Sequence, residues 1–377
     1  MNKIFSIFLA GLLLSFAWPL RGQFGHEHGA MIPGAAAAVI TAVFMAGDKW
    51  RSCFAQAVIF GSLGFSIGGT FSYGSQVADI AAASDFGDVI PQLIHVFVTG
   101  AVWGWLGMLF LGFASAEREI TFRDTLVLTI VGGGAWLATA VFNAGPALAW
   151  TAGGAALLQA YNALWKRSRT VTLFSAFGFF GFGLGFLISA LVLHYGAHGV
   201  LPGGWWRLRD QIWGFIGGIS VLLAARFTAA RGLMPAPLGG VAIRRAGFIT
   251  LASLVTGVNV WNVYGKWFKT TPTVPEPFWP TVYLVVCAVT LAAIAFYFLT
   301  SAPEMFSGEG LTRTLRGSTL FFCWFLAVLA ILKSVVYSGW DVWEPAFALL
   351  FIDCVILTVA IPWILKKNTV SLPEVPG

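Results

Sequence analysis

The chain has 377 residues, 58% of them hydrophobic and 10% charged, against roughly 25% charged in an ordinary soluble domain. That composition excludes a soluble globular domain and marks an integral membrane protein. The net charge of +6 therefore reports first on topology and gives no reason to expect a nucleic-acid partner.

Windows of about 20 apolar residues, the length that crosses the hydrocarbon core, recur along the whole chain. In order they fall near residues 4–20, 30–47, 53–71, 92–116, 125–144 and 146–165. Six more fall near 170–194, 209–229, 246–264, 279–300, 317–338 and 345–365. The expected fold is an all-α polytopic membrane protein of about 12 transmembrane helices, forming a single transmembrane domain over residues 1–377. The first window, "MNKIFSIFLAGLLLSFAWPLRG", has the basic start and apolar core of a secretory signal. It lacks a small-residue cleavage site, so it is read as a retained span.

The connections alternate in charge. "GDKWRS", "EREITFRD", "WKRSR", "FTAARGLMPAPLGGVAIRRAG", "LTRTLRG" and the terminal "KK", with Lys3 and Arg226, hold 16 of the 22 basic residues. The opposite side holds Arg21, Arg207, Arg209, Lys266 and Lys269, and Lys333 falls inside a span. By the positive-inside rule both termini are expected in the cytoplasm, in a bacterial-type inner membrane. Cys53, Cys287, Cys323 and Cys354 lie scattered in apolar runs, without the spacing of a metal site or disulfide framework.

An internal repeat is visible. "GDKWRSCFAQAVIFGSLGFSIGG" (47–69) matches "WKRSRTVTLFSAFGFFGFGLGF" (165–186) in a basic turn, an apolar run and Gly-Phe-x-x-Gly. Tyr-Gly follows in each, at 73–74 and 195–196, and then Trp-Gly-x-x-Gly at 103 and 213. A weaker third copy ends in "VVYSGWD" (335–341). Units of about 1–117, 118–230 and 246–366 are expected. With four spans each they would run parallel, an arrangement that places transporter binding sites at repeat interfaces. Gly-rich helices that pack closely would share some of this pattern without duplication.

Three outer segments carry most of the polar chemistry. The first holds Arg21, His26, Glu27 and His28; the second His194, Tyr195, His198, Trp205, Trp206, Arg207, Arg209 and Asp210; the third Tyr337, Trp340, Asp341, Trp343 and Glu344. Arginines outside run against the topological bias, and the planar guanidinium suits a carboxylate or phosphate. Tryptophans beside charged groups suit a sugar or organic-ion site, although interfacial anchoring also uses them. His26, His28, His194 and His198 could meet as zinc ligands, but uncoupled interfacial histidines are commoner, and no metal or other cofactor is assigned. Lys333 and Asp353 lie within spans, where ionisable residues form a clasp or a coupling relay.

The class favoured is a secondary transporter or permease for a small polar or anionic solute, with these outer residues lining a vestibule and Lys333 and Asp353 in coupling. The alternative is a membrane-embedded transferase working at the outer leaflet with a histidine base. "LRGQFGH" (20–26) is similar, over a handful of residues, to the Arg-Gly then His opening of some membrane acyltransferases, and no residue role is taken from it. A structural or assembly subunit is the third class. No GxxxxGK[ST], Gly-x-Ser-x-Gly or His-Glu-x-x-His occurs. The expected partners are the lipid bilayer and a small solute, and a homo-oligomer is compatible with the composition.

Overall fold

The structure, a computed structural model, describes residues 3–23, 29–45, 47–70, 74–83, 85–140, 147–197, 205–236, 240–251, 254, 278–338 and 345–370. Within them all regular structure is helical, as lipid demands of a chain that must satisfy its own backbone. The helices are α1 (Lys3–Gln23), α2 (Met31–Phe44), the short α3 (Asp48–Ser52), α4 (Phe54–Gly68), α5 (Gly74–Ala82), α6 (Phe86–Ala114) and α7 (Phe122–Ala140). They continue with α8 (Ala147–Tyr161), α9 (Arg169–Ala197), α10 (Trp205–Ala230), α11 (Phe278–Thr300), α12 (Gly308–Ser338) and α13 (Pro345–Val370). Residues 241–251 are also helical.

Every apolar window read from the sequence falls on one of these helices, the ninth being described only in its first part. Among the described residues five stretches are long and apolar enough to cross a membrane: Lys3–Arg21, Gly87–Ala114, Arg169–Gly196, Trp205–Ala230 and Leu349–Lys366. Met31–Phe44, Phe54–Gly68 and Val285–Thr300 are apolar but shorter.

The core is built on α9, which lies along α6 and α10; α10 packs on α1, and α4 fills the space between α2 and α6. Small residues allow this. Gly34 of α2 meets the backbone of Gly61 on α4, Gly104 of α6 meets Gly178 of α9, and Gly214 and Gly218 of α10 rest on the carbonyls of Leu14 and Ala10 in α1. Without a hydrophobic drive between helices in lipid, such close backbone approach supplies the packing energy. The pair α12–α13 joins this core through contacts of α13 with α1 and α2.

Polar contacts gather the basic connections at one end. Gln56 Nε2 donates to Ala114 O at 2.5 Å, the Ala236 amide donates to Ala116 O at 2.8 Å, Arg226 donates to Lys3 O at 3.2 Å, and Arg51 donates to Thr312 Oγ1 at 3.3 Å. Phe5 and Trp363, with ring centroids 6.0 Å apart, put the beginning of α1 and the last part of α13 at this same end. Arg21, His194, Arg209 and Asp210 lie toward the other end. Among the described residues the basic connections are thus gathered at one end.

Candidate functional site

Trp18 and Arg21 sit one turn apart on α1 and point the same way. The Arg21 guanidinium lies 5.7 Å from the Trp18 ring centroid, 5.0 Å from that of Trp103 on α6 and 5.6 Å from that of Trp213 on α10. All three are within cation–π range, and Arg21 is 1% exposed. Its Nη2 is 3.8 Å from Asp210 Oδ2, while Asp210 Oδ1 accepts from Arg209 Nε at 3.1 Å and Nη2 at 2.5 Å. Arg209 in turn lies 5.0 Å over the Trp206 ring. Asp210 is thus hydrogen-bonded to one guanidinium and only Coulombically paired with the other. Charges are retained in such a place because protein groups replace the lost water.

The repeat motifs meet at this point. A methyl group on Gly107 would come 2.6 Å from the Phe65 ring, and one on Gly217 would come 2.8 Å from Phe182. Gly68 likewise abuts the Trp103 indole, as Gly185 abuts that of Trp213. Each Gly-Phe-x-x-Gly helix therefore packs on its own Trp-Gly-x-x-Gly helix through corresponding residues. Between the two motif pairs, Phe65 and Phe182 have centroids 5.3 Å apart, and Trp103 and Trp213 5.2 Å. Trp18 touches all four rings, and Trp103 Nε1 donates to Phe65 O at 2.8 Å.

The other proposed site residues divide. His194 is buried, and its Nδ1 is 2.9 Å from Ile80 O. A carbonyl only accepts, so Nδ1 carries the proton, and the ring ties α9 to α5. Tyr195 is 64% and Trp206 47% exposed, Arg207 is half-buried, and Trp205 packs on Gly196 where α9 and α10 approach. Gly29 shows how the first segment returns: the Arg21 carbonyl occupies the place a Cβ at residue 29 would need. His26, Glu27, His28, His198, Trp340, Asp341, Trp343 and Glu344, and the side chains of Lys333 and Tyr337, lie outside the described residues. The first and second outer segments are joined through Arg21 and Asp210, and this contact is packed tightly. Among the described residues the gap beside Arg209, Trp213 and Ser189 is too narrow for a water molecule, because indole and phenyl rings fill the space a vestibule would need.

Asp353 is buried on α13 and lines a groove of about 280 Å³ with Ser15 of α1 and Leu208, Gln211 and Phe215 of α10. Asp353 makes no ion pair among the described residues. Gln211 follows Asp210 directly, so α10 presents the Arg209–Asp210 set on one face and the Asp353 groove on the next.

At the basic end the structure assembles a polar cluster that sequence reading did not single out. Beyond α8, Asn162–Lys166 form a π-helical turn, and Arg167 adopts a left-handed backbone, φ 51°. This geometry sends Lys166 inward, where its Nζ donates to Asp124 Oδ2 at 2.8 Å and to Glu119 O at 2.6 Å. Tyr161 donates to Asp124 Oδ1 at 2.6 Å, and the Thr121 amide and hydroxyl donate to Asp124 Oδ2 at 2.8 and 2.9 Å. Glu117 accepts from Ser168 Oγ at 2.7 Å and from the Arg169 amide at 2.9 Å, placing a carboxylate at the N-terminus of α9. The available signal was the acidic residues of "EREITFRD" set against the bases of "WKRSR".

Burial alone would raise the Asp124 carboxyl above its ordinary 3.8, but hydrogen bonds from Lys166, Tyr161 and Thr121 hold it at about 2. Burial of Glu117 is likewise outweighed by hydrogen bonds, including those from Thr170, Ser168 and Arg169, and its carboxyl is lowered. A carboxyl lowered by folding contributes stability that is complete above its unfolded value and lost as pH falls through the folded one. Acid should therefore loosen this end between about pH 4 and pH 2, with Asp124→Asn showing a smaller loss over that window. Thermal unfolding of both proteins across the pH series checks this.

Among the described residues no three His, Cys, Asp or Glu side chains stand close enough to hold a metal ion. Cys53, Cys287, Cys323 and Cys354 are buried thiols outside any disulfide. No family model matches the chain, and no match was found among curated proteins or solved structures.

Proposed function

We propose that the protein is a multi-pass secondary transporter or permease for a small solute with an anionic group, built on about 12 spans with its termini in the cytoplasm. The observation that carries this reading is Arg21, enclosed by three indoles with its guanidinium 3.8 Å from Asp210. A carboxylate or phosphate on the solute competes with Asp210 for the Arg21 fork, and Asp210 stays held by Arg209 while this happens. The tight packing around the set corresponds to a closed state, and access requires the outer ends of α1, α9 and α10 to part.

The corresponding contacts of the Gly-Phe-x-x-Gly and Trp-Gly-x-x-Gly motifs support duplication of the first two units, with Arg21 where they meet. Asp353 supplies coupling: a carboxyl group facing Gln211 and Ser15 in a membrane groove is a station for a coupling proton or cation. The alternative, a transferase, would use His26 or His28 as its base, and both lie outside the described residues.

Uptake by proteoliposomes tests this, using a panel of labelled organic anions and sugars. Gradient-driven accumulation of an anionic solute is expected, with Asp353→Asn losing accumulation but keeping exchange at equal concentrations. Accumulation unchanged in Asp353→Asn would remove the coupling role. Failure of every anionic solute to enter would remove the transport reading.

A further inference from the structure

A groove of about 580 Å³ separates the last two turns of α11 from the early turns of α12, with Met305 of the connecting turn as its floor. Thr314 Oγ1 donates to Met305 O at 2.9 Å and holds that floor against α12. Arg313, Gly317 and Phe321 succeed one another on one face of α12, and Arg313 and Phe321 are about 12 Å apart along the axis. Tyr297, Phe298 and Ile294 form the facing wall on α11. The lining therefore changes from cationic at the helix ends to aromatic and aliphatic farther into the span.

The mouth of the groove is positively charged. Arg313 and Arg316 are exposed, and Arg313 makes no ion pair among the described residues. Arg245 donates to Ser301 O at 2.5 Å, and Arg244 donates to Phe306 O, which brings two more guanidiniums to the hairpin. Glu304 and Glu309 are the acidic residues of the same hairpin, leaving cations in excess. The groove is open at its centre: a Cβ added to Gly317 would meet nothing within 4 Å.

We propose that this groove binds one anionic glycerophospholipid of the bilayer, its phosphate on Arg313 and one acyl chain laid past Gly317 between Phe321 and Ile294. Basic pockets between membrane helices on the positively charged side recognise anionic headgroups in this way. The order of the lining matches the order of a lipid, headgroup before chain. The inference rests on the membrane assignment and is independent of the transport reading.

The experiment uses the full-length protein, purified in detergent and stripped of lipid, then titrated with dioleoyl phosphatidylglycerol, dioleoyl phosphatidylcholine or inorganic phosphate. Bound lipid is counted by native mass spectrometry, and thermal unfolding is followed in parallel. Phosphatidylglycerol should remain bound and raise the melting temperature, while phosphatidylcholine and phosphate should not. Arg313→Gln should weaken retention about fivefold. Gly317→Leu, whose side chain enters open space on a helix that prefers leucine to glycine, should fold normally and abolish retention. Equal binding of the two lipids, a shift reproduced by phosphate alone, or wild-type retention by Gly317→Leu would each overturn the proposal.

Discussion

Arg21→Gln should abolish uptake while leaving the protein folded. At about 4 Å and an effective dielectric of about 20, removing a unit charge forfeits on the order of 4 kcal/mol of attraction for a bound anion. That corresponds to roughly a thousandfold loss of transport efficiency. Folding survives because Asp210 keeps its hydrogen bonds from Arg209 at 3.1 and 2.5 Å, and glutamine still fits among the indoles. Arg21→Lys separates charge from geometry. It keeps the cation but loses the planar fork and its stacking on Trp18, Trp103 and Trp213, so activity between the wild type and Arg21→Gln is expected. Initial rates in proteoliposomes, with circular dichroism on the same preparations, decide the matter. A rate for Arg21→Gln equal to wild type would mean that the caged arginine is a structural clamp and the solute passes elsewhere.

The second large effect concerns stability at the opposite end. Lys166→Met leaves the Asp124 carboxylate buried without its cation and removes the donor to Glu119 O. Breaking a buried pair from one side costs about 3–5 kcal/mol, to be read as a shift of the denaturant midpoint in detergent. The double variant Lys166→Met with Asp124→Asn should recover a substantial part of that loss, since no bare charge remains. Additivity of the two single effects within about 0.5 kcal/mol would show that the pair is not coupled as its 2.8 Å separation implies. This cluster stands far from Arg21, so surviving Lys166→Met protein should transport at the wild-type rate.

The helices Gly74–Ala82 and Asp48–Ser52 fell outside every apolar window, whereas the helical, apolar character of the chain and the grouping of its basic connections were legible in the order of residues. Each depends on quantities local to a segment: an apolar run sets a helix in lipid, and Lys or Arg in a connection reports its side. Gly-Phe-x-x-Gly and Trp-Gly-x-x-Gly were legible for the same reason, as short motifs with fixed spacing. Arg21, Arg207 and Arg209 became site candidates by their position against the charge bias, and Asp210 by sharing the second outer segment.

The pairing of those residues depended on how the helices meet. Arg21 and Asp210 are far apart in sequence, and nothing local says that Trp103 and Trp213 close around the same guanidinium, or that Tyr195 and Trp206 turn outward from it. Lys333, which spacing offered as the partner of Asp353, has its side chain outside the described residues, and that Asp353 lines a groove with Gln211 and Ser15 depends on how three helices meet. The Asp124–Lys166 pair was hidden more deeply, because a π-helical turn and one left-handed residue redirect Lys166 inward. A regular helical period would have placed that lysine by its neighbours in sequence. Local chemistry sets helices and charge, whereas burial of a charge is decided by the long-range packing that must replace its water.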